Sequence, residues 1–220
     1  MNGQRIRAVL FDFDGTLTRP EAIDFTALRA RVGVPPGTPI LEYIESLPSA
    51  EERARRHRIL EEVEAAAARA SLPNAGAEEL LLRLHESGLR LGILTRNTRR
   101  SIDLSLGNFR RVSHTLFDAI ITREHQGRPK PHPDGVYAAA LLLGVEPAEM
   151  LVVGDFIFDI AAGKAAGSPT VLVTNTTDRG VADKAAADAR ARIGGEAPDL
   201  DAAPDHVVAT LAELGPILGF

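Results

Sequence analysis

Short apolar runs that alternate with helix-like segments constrain the fold of this 220-residue chain more than any other feature. Each run has the length of a β-strand, and Leu, Val and Ile dominate with little polar alternation, as in strands buried on both faces. The predicted strands cover 6–11, 89–94, 117–121, 150–153, 170–173 and, more weakly, 206–208. Helical spacing and closing glycines predict helices over 77–87, 133–143 and 157–166. The alternation predicts an α/β protein with an open parallel sheet covered by helices on both faces.

Residues 18–72 interrupt this alternation, because they contain no strand-like run. They predict two or three helices. Ser49 and Glu52 have the spacing of a capping box, and charged residues alternate with apolar ones over 51–70. We interpret this segment, called the cap below, as a small helical domain over one end of the sheet.

The predicted domains are therefore a core made of residues 1–17 and 73–220 and a cap made of residues 18–72. Hydrophobic residues make up 45% of the chain, which suffices for a buried core without disulfides or a structural metal. A second irregular stretch over 176–204 is rich in Ala, Asp and Gly and predicts a partly helical loop.

Composition excludes several classes of function. The chain has no cysteine, so disulfides, thiolate metal sites and a cysteine nucleophile are excluded. The net charge of −5 and the lack of a long basic run argue against a nucleic-acid partner. No apolar run approaches the roughly 18 residues of a membrane span, and Asp12 interrupts the apolar run that follows Arg7, so a signal peptide is not expected. We expect a cytoplasmic monomer or homodimer.

Four aspartates follow two of the predicted strands. Asp12 and Asp14 follow the first strand, where alternate residues of an extended chain share a side. Asp155 and Asp159 follow the strand over 150–153 and are four residues apart, one helical turn. A solvated Asp-Gly turn and a helix N-terminal charge are the alternatives. Carboxyl ends of parallel strands are the edge where open α/β sheets bind ligands, so we expect the four side chains to share a site.

Two further polar features fall at strand ends. Thr95 ends the second strand, and Arg96 and Asn97 are predicted to begin the next helix. Lys130 lies in a loop that three prolines make stiff. Taken singly, Thr95 is as well explained by helix capping, and Lys130 by an exposed surface position. Together they add a hydroxyl and a cation to the edge that the aspartates occupy.

The order Asp-x-Asp-Gly-Thr, strand-end Thr, Lys-Pro and Gly-Asp-x-x-x-Asp resembles the haloacid dehalogenase (HAD) superfamily of phosphohydrolases. The resemblance covers residues 5–17 and 73–175, nearly all of the predicted core. It is greatest for the phosphoglycolate-phosphatase-like branch, whose helical cap is inserted after the first motif. The resemblance implies a Rossmann-like core with a helical cap, and an enzyme that hydrolyses small phosphorylated metabolites.

The resemblance also implies catalytic roles for Asp12, Asp14, Thr95 and Lys130. Asp12 would be the nucleophile that forms an aspartyl-phosphate, and Asp14 would be the general acid and base. Thr95 would hydrogen-bond a phosphoryl oxygen, and Lys130 would neutralise charge on Asp12 and on the transferring group.

Substrate binding is implied for a wider set of residues. The phosphate- or substrate-binding residues would be Gly15, Thr95, Arg96, Asn97 and Lys130. Glycine at position 15 would let the chain turn sharply beside the phosphate. Nothing in the sequence selects phosphoglycolate, and the short cap leaves the leaving group undefined.

A metal ion follows from charge as well as from the resemblance. Asp12, Asp14, Asp155 and Asp159 carry up to four negative charges, and a phosphate monoester adds two more. Two like charges about 4 Å apart repel by about 4 kcal/mol at an effective dielectric constant of about 20. A divalent cation removes this repulsion, and carboxylate oxygens favour Mg²⁺. The implied ligands are the carboxylates of Asp12 and Asp155 and the main-chain carbonyl of Asp14, with Asp159 in support.

Two other functions share these core residues. A sugar-phosphate mutase returns the phosphoryl group to bound sugar instead of water, and a non-catalytic protein would only bind a phosphorylated ligand. Phosphate release separates the phosphatase from the mutase, and turnover of an aryl phosphate separates both from the binding protein.

Overall fold

The computed structural model describes residues 5–20, 24–176 and 203–219. Most of the loop predicted over 176–204 lies outside the described residues. Within them, six parallel strands form one sheet that has helices on both faces, which confirms the predicted fold class. In the part of the chain described, no helix combines the length and apolarity that a bilayer crossing requires.

The sheet contains all six predicted strands. They are β1 (Ala8–Phe11), β2 (Arg90–Leu94), β3 (Ala119–Ile121), β4 (Met150–Gly154), β5 (Thr170–Val173) and β6 (His206–Val208). Their order is β3-β2-β1-β4-β5-β6, and each neighbouring pair is parallel. Strands β1 and β3 begin two residues later than predicted. The apolar residues at these starts, Ile6 and Phe117, pack against the core without joining the sheet.

Strand β1 lies at the centre of the sheet and is buried on both faces. Val9 and Phe11 belong to the hydrophobic cluster on one face, and Ala8 and Leu10 belong to the cluster on the other. All four side chains are fully buried. This two-sided burial explains why the predicted strands read as continuous apolar runs.

Eight α-helices lie in the described residues. They are α1 (Phe25–Val32), α2 (Ile40–Ser46), α3 (Ala50–Ala70), α4 (Ala77–Glu86), α5 (Arg99–Leu106), α6 (Asp134–Leu143), α7 (Ile157–Ala166) and α8 (Leu214–Leu218). The three predicted core helices correspond to α4, α6 and α7 to within one residue at each end. Helix α4 turns Leu80, Leu81 and Leu84 into the core, as their spacing predicts.

Helices α1, α2 and α3 form the cap. They share a small hydrophobic cluster of their own, which includes Leu28, Ile44 and Leu60. An antiparallel bridge between Thr18 and Pro73 joins the two ends of this segment. The domain boundaries themselves stay a prediction.

The predicted capping box at the start of α3 is half formed. The Ser49 hydroxyl accepts a hydrogen bond of 3.3 Å from the Glu52 backbone N–H. The Glu52 carboxylate instead accepts hydrogen bonds from Arg55 and Arg56. Arginines one turn ahead on the helix thus engage the carboxylate that the box would have used.

Candidate active site

The carboxyl ends of β1, β2 and β4 meet where the strand order reverses on either side of β1. Asp12 follows β1, Thr95 follows β2 and Asp155 follows β4. A cavity of about 890 Å³ lies at this edge, lined by these residues and by cap residues such as Leu60. Its volume falls within the roughly 300–1,000 Å³ that small-molecule sites occupy, and its position is the ligand crevice of open α/β sheets.

Three carboxylates converge in this cavity. Asp12, Asp155 and Asp159 each offer an oxygen, and these oxygens lie within 4.8 Å of one another. Burial raises the pKa of Asp155 well above its usual value, and the charge on Asp12 adds to the effect. Burial also raises the pKa of Asp159 to about 6, although Lys130 opposes the shift. The cluster is therefore short of positive charge, as the sequence predicts.

Lys130 supplies a cation within the cluster. Its Nζ donates hydrogen bonds of 2.5 Å to both Asp12 and Asp159 and one of 2.9 Å to the Leu94 carbonyl. Burial alone would lower the pKa of Lys130, but the two carboxylates raise it above its usual value. The side chain is only 5% exposed, which excludes the alternative of a surface lysine.

Two glycines let the carboxylates approach the backbone. Gly15 has a φ of +76°, and a Cβ there would lie 2.0 Å from Asp155 Oδ2. A Cβ on Gly154 would lie 2.3 Å from the Asp159 carboxyl carbon. Any larger residue at these positions would displace an acidic side chain. This steric conflict explains why both motifs contain glycine.

Asp14 occupies a separate position beside the cluster. Strand β1 ends at Phe11, so strand alternation does not extend to Asp14, which lies in the turn that follows. The Asp14 carboxylate accepts hydrogen bonds from the Asn97 amide and, at 3.5 Å, from the Thr18 hydroxyl. Burial raises its pKa to about 6, and the charge on nearby Asp12 contributes. This carboxyl can hold a proton near neutral pH.

Comparison with known proteins identifies the family. The model of the haloacid dehalogenase-like hydrolase family matches residues 6–167, most of the chain. A second HAD-like hydrolase model matches residues 127–214. The chain belongs to the haloacid dehalogenase-like hydrolase family.

Individual relatives support the assignment. The uncharacterized hydrolase YOR131C of Saccharomyces cerevisiae is 36% identical over 174 residues, which cover 78% of this chain and 79% of the relative. The N-acetylmuramic acid 6-phosphate phosphatase of Pseudomonas aeruginosa is 30% identical over 191 residues, which cover 79% and 84%. A crystal structure of a HAD-like hydrolase from Bacteroides fragilis matches the fold with a TM-score of 0.72 at 24% identity, covering 96% of this chain and 100% of that one.

The loop after β2 differs from its prediction. Helix α5 begins at Arg99 and not at Arg96 or Asn97, because the Thr98 hydroxyl accepts the capping hydrogen bond from the Ser101 backbone N–H. The prediction that Arg96 and Asn97 begin this helix is therefore wrong. The Thr95 hydroxyl accepts a 3.1 Å bond from the Asn97 N–H and thereby shapes the loop. In this loop conformation, the Asn97 side-chain amide donates its hydrogen bond to the Asp14 carboxylate of this HAD family member.

Arg96 links the cap to the core. Its guanidinium donates hydrogen bonds of 2.6 and 2.8 Å to the Glu42 carboxylate of α2 and one of 3.2 Å to the Lys130 carbonyl. It also lies over the Phe158 ring, 5.2 Å from the ring centre. The charge of Arg96 is thus paired with Glu42 in this structure. A contact between Arg96 and phosphate stays a prediction.

Two asparagines that sequence reasoning missed hold the turn after β1. The Asn74 amide donates hydrogen bonds of 2.9 Å to the Thr16 carbonyl and to the Asn175 side chain. Asn175 in turn donates a 2.6 Å bond to the Gly15 carbonyl. Asn175 follows β5, so its place after a strand end was an available signal.

Glu64 and Arg123 also line the cavity and were missed. Arg123 follows β3, so the strand-end rule that identified Thr95 could have found it. Glu64 lies within α3 among many charged residues, and no local pattern distinguishes it from a solvated helix face.

Proposed function

We propose that this protein is a phosphatase that hydrolyses small phosphorylated metabolites through an aspartyl-phosphate on Asp12, with Mg²⁺ as its cofactor. The observation that carries the proposal is that Asp12, Asp155 and Asp159 converge at the switch point of the sheet, where the strand order reverses, and that Lys130 bonds to Asp12 and Asp159. Membership of the HAD-like hydrolase family supports it, as does the 30% identical relative that is named N-acetylmuramic acid 6-phosphate phosphatase.

The acidic cluster fits a hard divalent cation. Three carboxylates face one ammonium group, and the raised pKa values of Asp155 and Asp159 reflect that imbalance. The carboxylates of Asp12 and Asp155 and the carbonyl of Asp14 would hold Mg²⁺, and Asp159 would support them by holding Lys130 in place. When bound, the ion would neutralise carboxylate charge and polarise a phosphoryl oxygen.

In the first step, a carboxylate oxygen of Asp12 attacks phosphorus as the bond from phosphorus to the leaving-group oxygen breaks. Asp14 gives its proton to that oxygen, so the leaving group departs as a neutral alcohol. A pKa of about 6 leaves Asp14 able to act as an acid near neutrality. Lys130 offsets the charge that accumulates around Asp12.

In the second step, a water molecule attacks the phosphorus of the aspartyl-phosphate. Asp14, now ionised, takes a proton from this water, and the bond between Asp12 and phosphorus breaks to release inorganic phosphate. The Thr95 hydroxyl, which is buried at the end of β2, would donate to a phosphoryl oxygen in both steps.

The test is phosphate release from para-nitrophenyl phosphate and from a panel of sugar, nucleotide and organic-acid monophosphates, with Mg²⁺ or with a chelator. We expect turnover with Mg²⁺, at least a hundredfold loss with chelator, and at least a thousandfold loss in Asp12→Asn. Asp103→Asn is the matched control, because Asp103 only pairs with Arg99 on the surface of α5. Isomerised sugar phosphate without free phosphate would indicate the mutase, and full turnover by Asp12→Asn would refute the covalent route.

A further inference from the structure

An ion pair connects the cap to the core within the cavity. Glu64 of α3 accepts a hydrogen bond from the guanidinium of Arg123, which follows β3. Their side chains are 6% and 16% exposed. Arg123 is held further by bonds of 2.8 Å from its Nε to the Arg96 carbonyl and 2.9 Å from its backbone N–H to the Asn97 carbonyl. Both charged groups therefore have fixed positions.

Each member of this pair retains an unused polar atom. Glu64 Oε2 and Arg123 Nη1 are buried and have no hydrogen-bond partner in the described part of the chain. Both residues line the same cavity as Asp12 and Asp14. Buried polar atoms in folded proteins are nearly always hydrogen-bonded, so an unmet acceptor and an unmet donor on two paired residues that line a cavity indicate a place where a ligand bonds.

The pair lies on the side of the cavity where the leaving group must sit. The Asn97 carbonyl accepts the hydrogen bond from the Arg123 backbone N–H, and the Asn97 side-chain amide donates to the Asp14 carboxylate, so the pair lies on the Asp14 side of the cavity. Burial raises the pKa of Glu64 to about 7 against the effect of Arg123. Asp14 is the proposed proton donor to the leaving-group oxygen. Lys130 and Asp159, by contrast, surround the phosphoryl side through Asp12.

The chemistry of the pair favours hydroxyl groups. A carboxylate oxygen accepts and a guanidinium N–H donates, whereas a hydroxyl group can do both. The guanidinium of Arg123 is already bonded to Glu64, so the pair offers no free cation to a second anionic group. Arg96 is likewise paired with Glu42. A carboxylate on the leaving group could accept from Arg123 but has no proton to donate to Glu64, so it would leave the Glu64 oxygen unsatisfied.

We propose that Glu64 and Arg123 determine the specificity of this enzyme by hydrogen-bonding the hydroxyl groups of an uncharged, polyhydroxylated leaving group. Sugar and polyol monophosphates are then preferred over phosphates of small carboxylic acids such as phosphoglycolate. This inference rests on the proposed phosphatase function and adds the class of its substrate.

The test removes the pair without leaving one charge buried alone. In the double variant Glu64→Met with Arg123→Met, apolar side chains of similar length fill the space, a replacement that buried ion pairs often tolerate. The kcat/KM values are measured for glucose 6-phosphate, glycerol 3-phosphate, phosphoglycolate and para-nitrophenyl phosphate. We expect the wild type to prefer a sugar or polyol phosphate, and the variant to lose about 10- to 100-fold more on it than on the aryl phosphate, mainly through KM.

Glu42→Gln is the matched control, because it breaks the other ion pair between cap and core. It should lower kcat/KM for sugar and aryl phosphates by the same factor. An equal loss on all substrates in the double variant, or a wild type that prefers phosphoglycolate or the aryl phosphate, would overturn the inference and leave the phosphatase function standing. A wild type that releases phosphate from no compound would remove the proposed function itself. If the double variant does not fold, Glu64→Gln is judged by the same ratio.

Discussion

Lys130 is predicted to serve both stability and chemistry. Its Nζ bonds to Asp12 and Asp159 in a buried setting, so the lysine compensates charges that would otherwise be left unpaired. We expect Lys130→Met to lower the free energy of unfolding by about 3–5 kcal/mol in metal-free buffer, and phosphate release by at least a hundredfold. Denaturant unfolding and phosphate-release assays measure the two effects.

Lys164→Met provides the control for that prediction. Lys164 also forms an ion pair, with Asp205, but its side chain is 25% exposed, so its loss should cost no more than about 1 kcal/mol. Adding Mg²⁺ should restore part of the stability of Lys130→Met, since the cation takes over charge compensation. Equal destabilisation in the two variants would contradict the role given to Lys130.

Glu64 predicts a pH dependence of stability. Its pKa is about 7 in the folded protein and near 4.5 when unfolded, so the folded state binds the proton more tightly. This contribution is fully present below about pH 4.5 and is lost as the pH rises through about 7, a change of about 3 kcal/mol. The groups that act on Glu64 are Arg123, which lowers its pKa, and Asp14 and Glu61, which raise it.

The measurement compares urea unfolding of the wild type and Glu64→Gln at pH 5 and pH 8. The variant has no Glu64 carboxyl to lose its proton. Its free energy of unfolding should therefore fall less between pH 5 and pH 8 than that of the wild type. Glu42→Gln, which alters a half-exposed carboxylate, should keep the wild-type difference. An identical difference in Glu64→Gln would show that this carboxyl does not titrate there.

At the scale of elements, the loops after the strands hold the polar residues that line the cavity, and the sequence places several of them there. Buried strands were recognisable because their apolar runs lack alternation, and each run pointed to the polar residues that follow it. The start of α5 was not recognisable, since Thr95 and Thr98 are equally good capping residues in sequence. Only the hydrogen bond from Ser101 to Thr98 decides between them.

The junction between α3 and α5 gives a prediction about how the cap is attached. The Asn108 amide, just beyond α5, donates hydrogen bonds of 2.9 Å to the Ala68 carbonyl and 3.0 Å to the Ser71 carbonyl. The Ala68 carbonyl lies in the last turn of α3 and also accepts from the Ser71 hydroxyl and backbone N–H, whereas the Ser71 carbonyl lies just beyond the helix. Asn108→Ala should therefore lower the free energy of unfolding by about 1–2 kcal/mol in denaturant titrations.

Ser87→Ala serves as the comparison for Asn108. The Ser87 hydroxyl also donates to a helix carbonyl, that of Arg83, but at the exposed end of α4, where water can replace it. Its loss should change stability by no more than about 0.5 kcal/mol. If both variants behave alike, the amide of Asn108 does not hold the cap to the core.

For the whole molecule, local patterns predicted the sheet and the convergence of aspartates at its edge, whereas contacts between distant segments escaped prediction. Arg96 meets Glu42 and Arg123 meets Glu64 across 54 and 59 residues. Charged residues are common on any solvated helix, so nothing local marks which of them will face the core. These long-range pairs link the cap to the core at the cavity, and only a structure shows them.

The charge imbalance at the switch point predicts that metal binding stabilises the whole fold. Asp12 and Asp155 approach each other only when β1 and β4 are paired, so an ion that needs both binds the folded chain alone. Mg²⁺ at a hundred times its Kd should add about 2.7 kcal/mol of stability. For a chain of this size, the thermal midpoint should then rise by about 5–10 °C.

Thermal melts with Mg²⁺ and with chelator measure this shift, and Asp155→Asn tests its origin. The variant keeps the shape of the side chain but removes one negative charge, so its melting temperature in chelator should equal or exceed that of the wild type, while the Mg²⁺-dependent rise should largely disappear. A wild-type rise that persists in Asp155→Asn would place the ion elsewhere. Asp155→Asn should thus maintain or raise the melting temperature in chelator and lower it relative to the wild type in Mg²⁺. Both effects are expected only if the carboxylates that repel one another without metal are the ones that bind the cation.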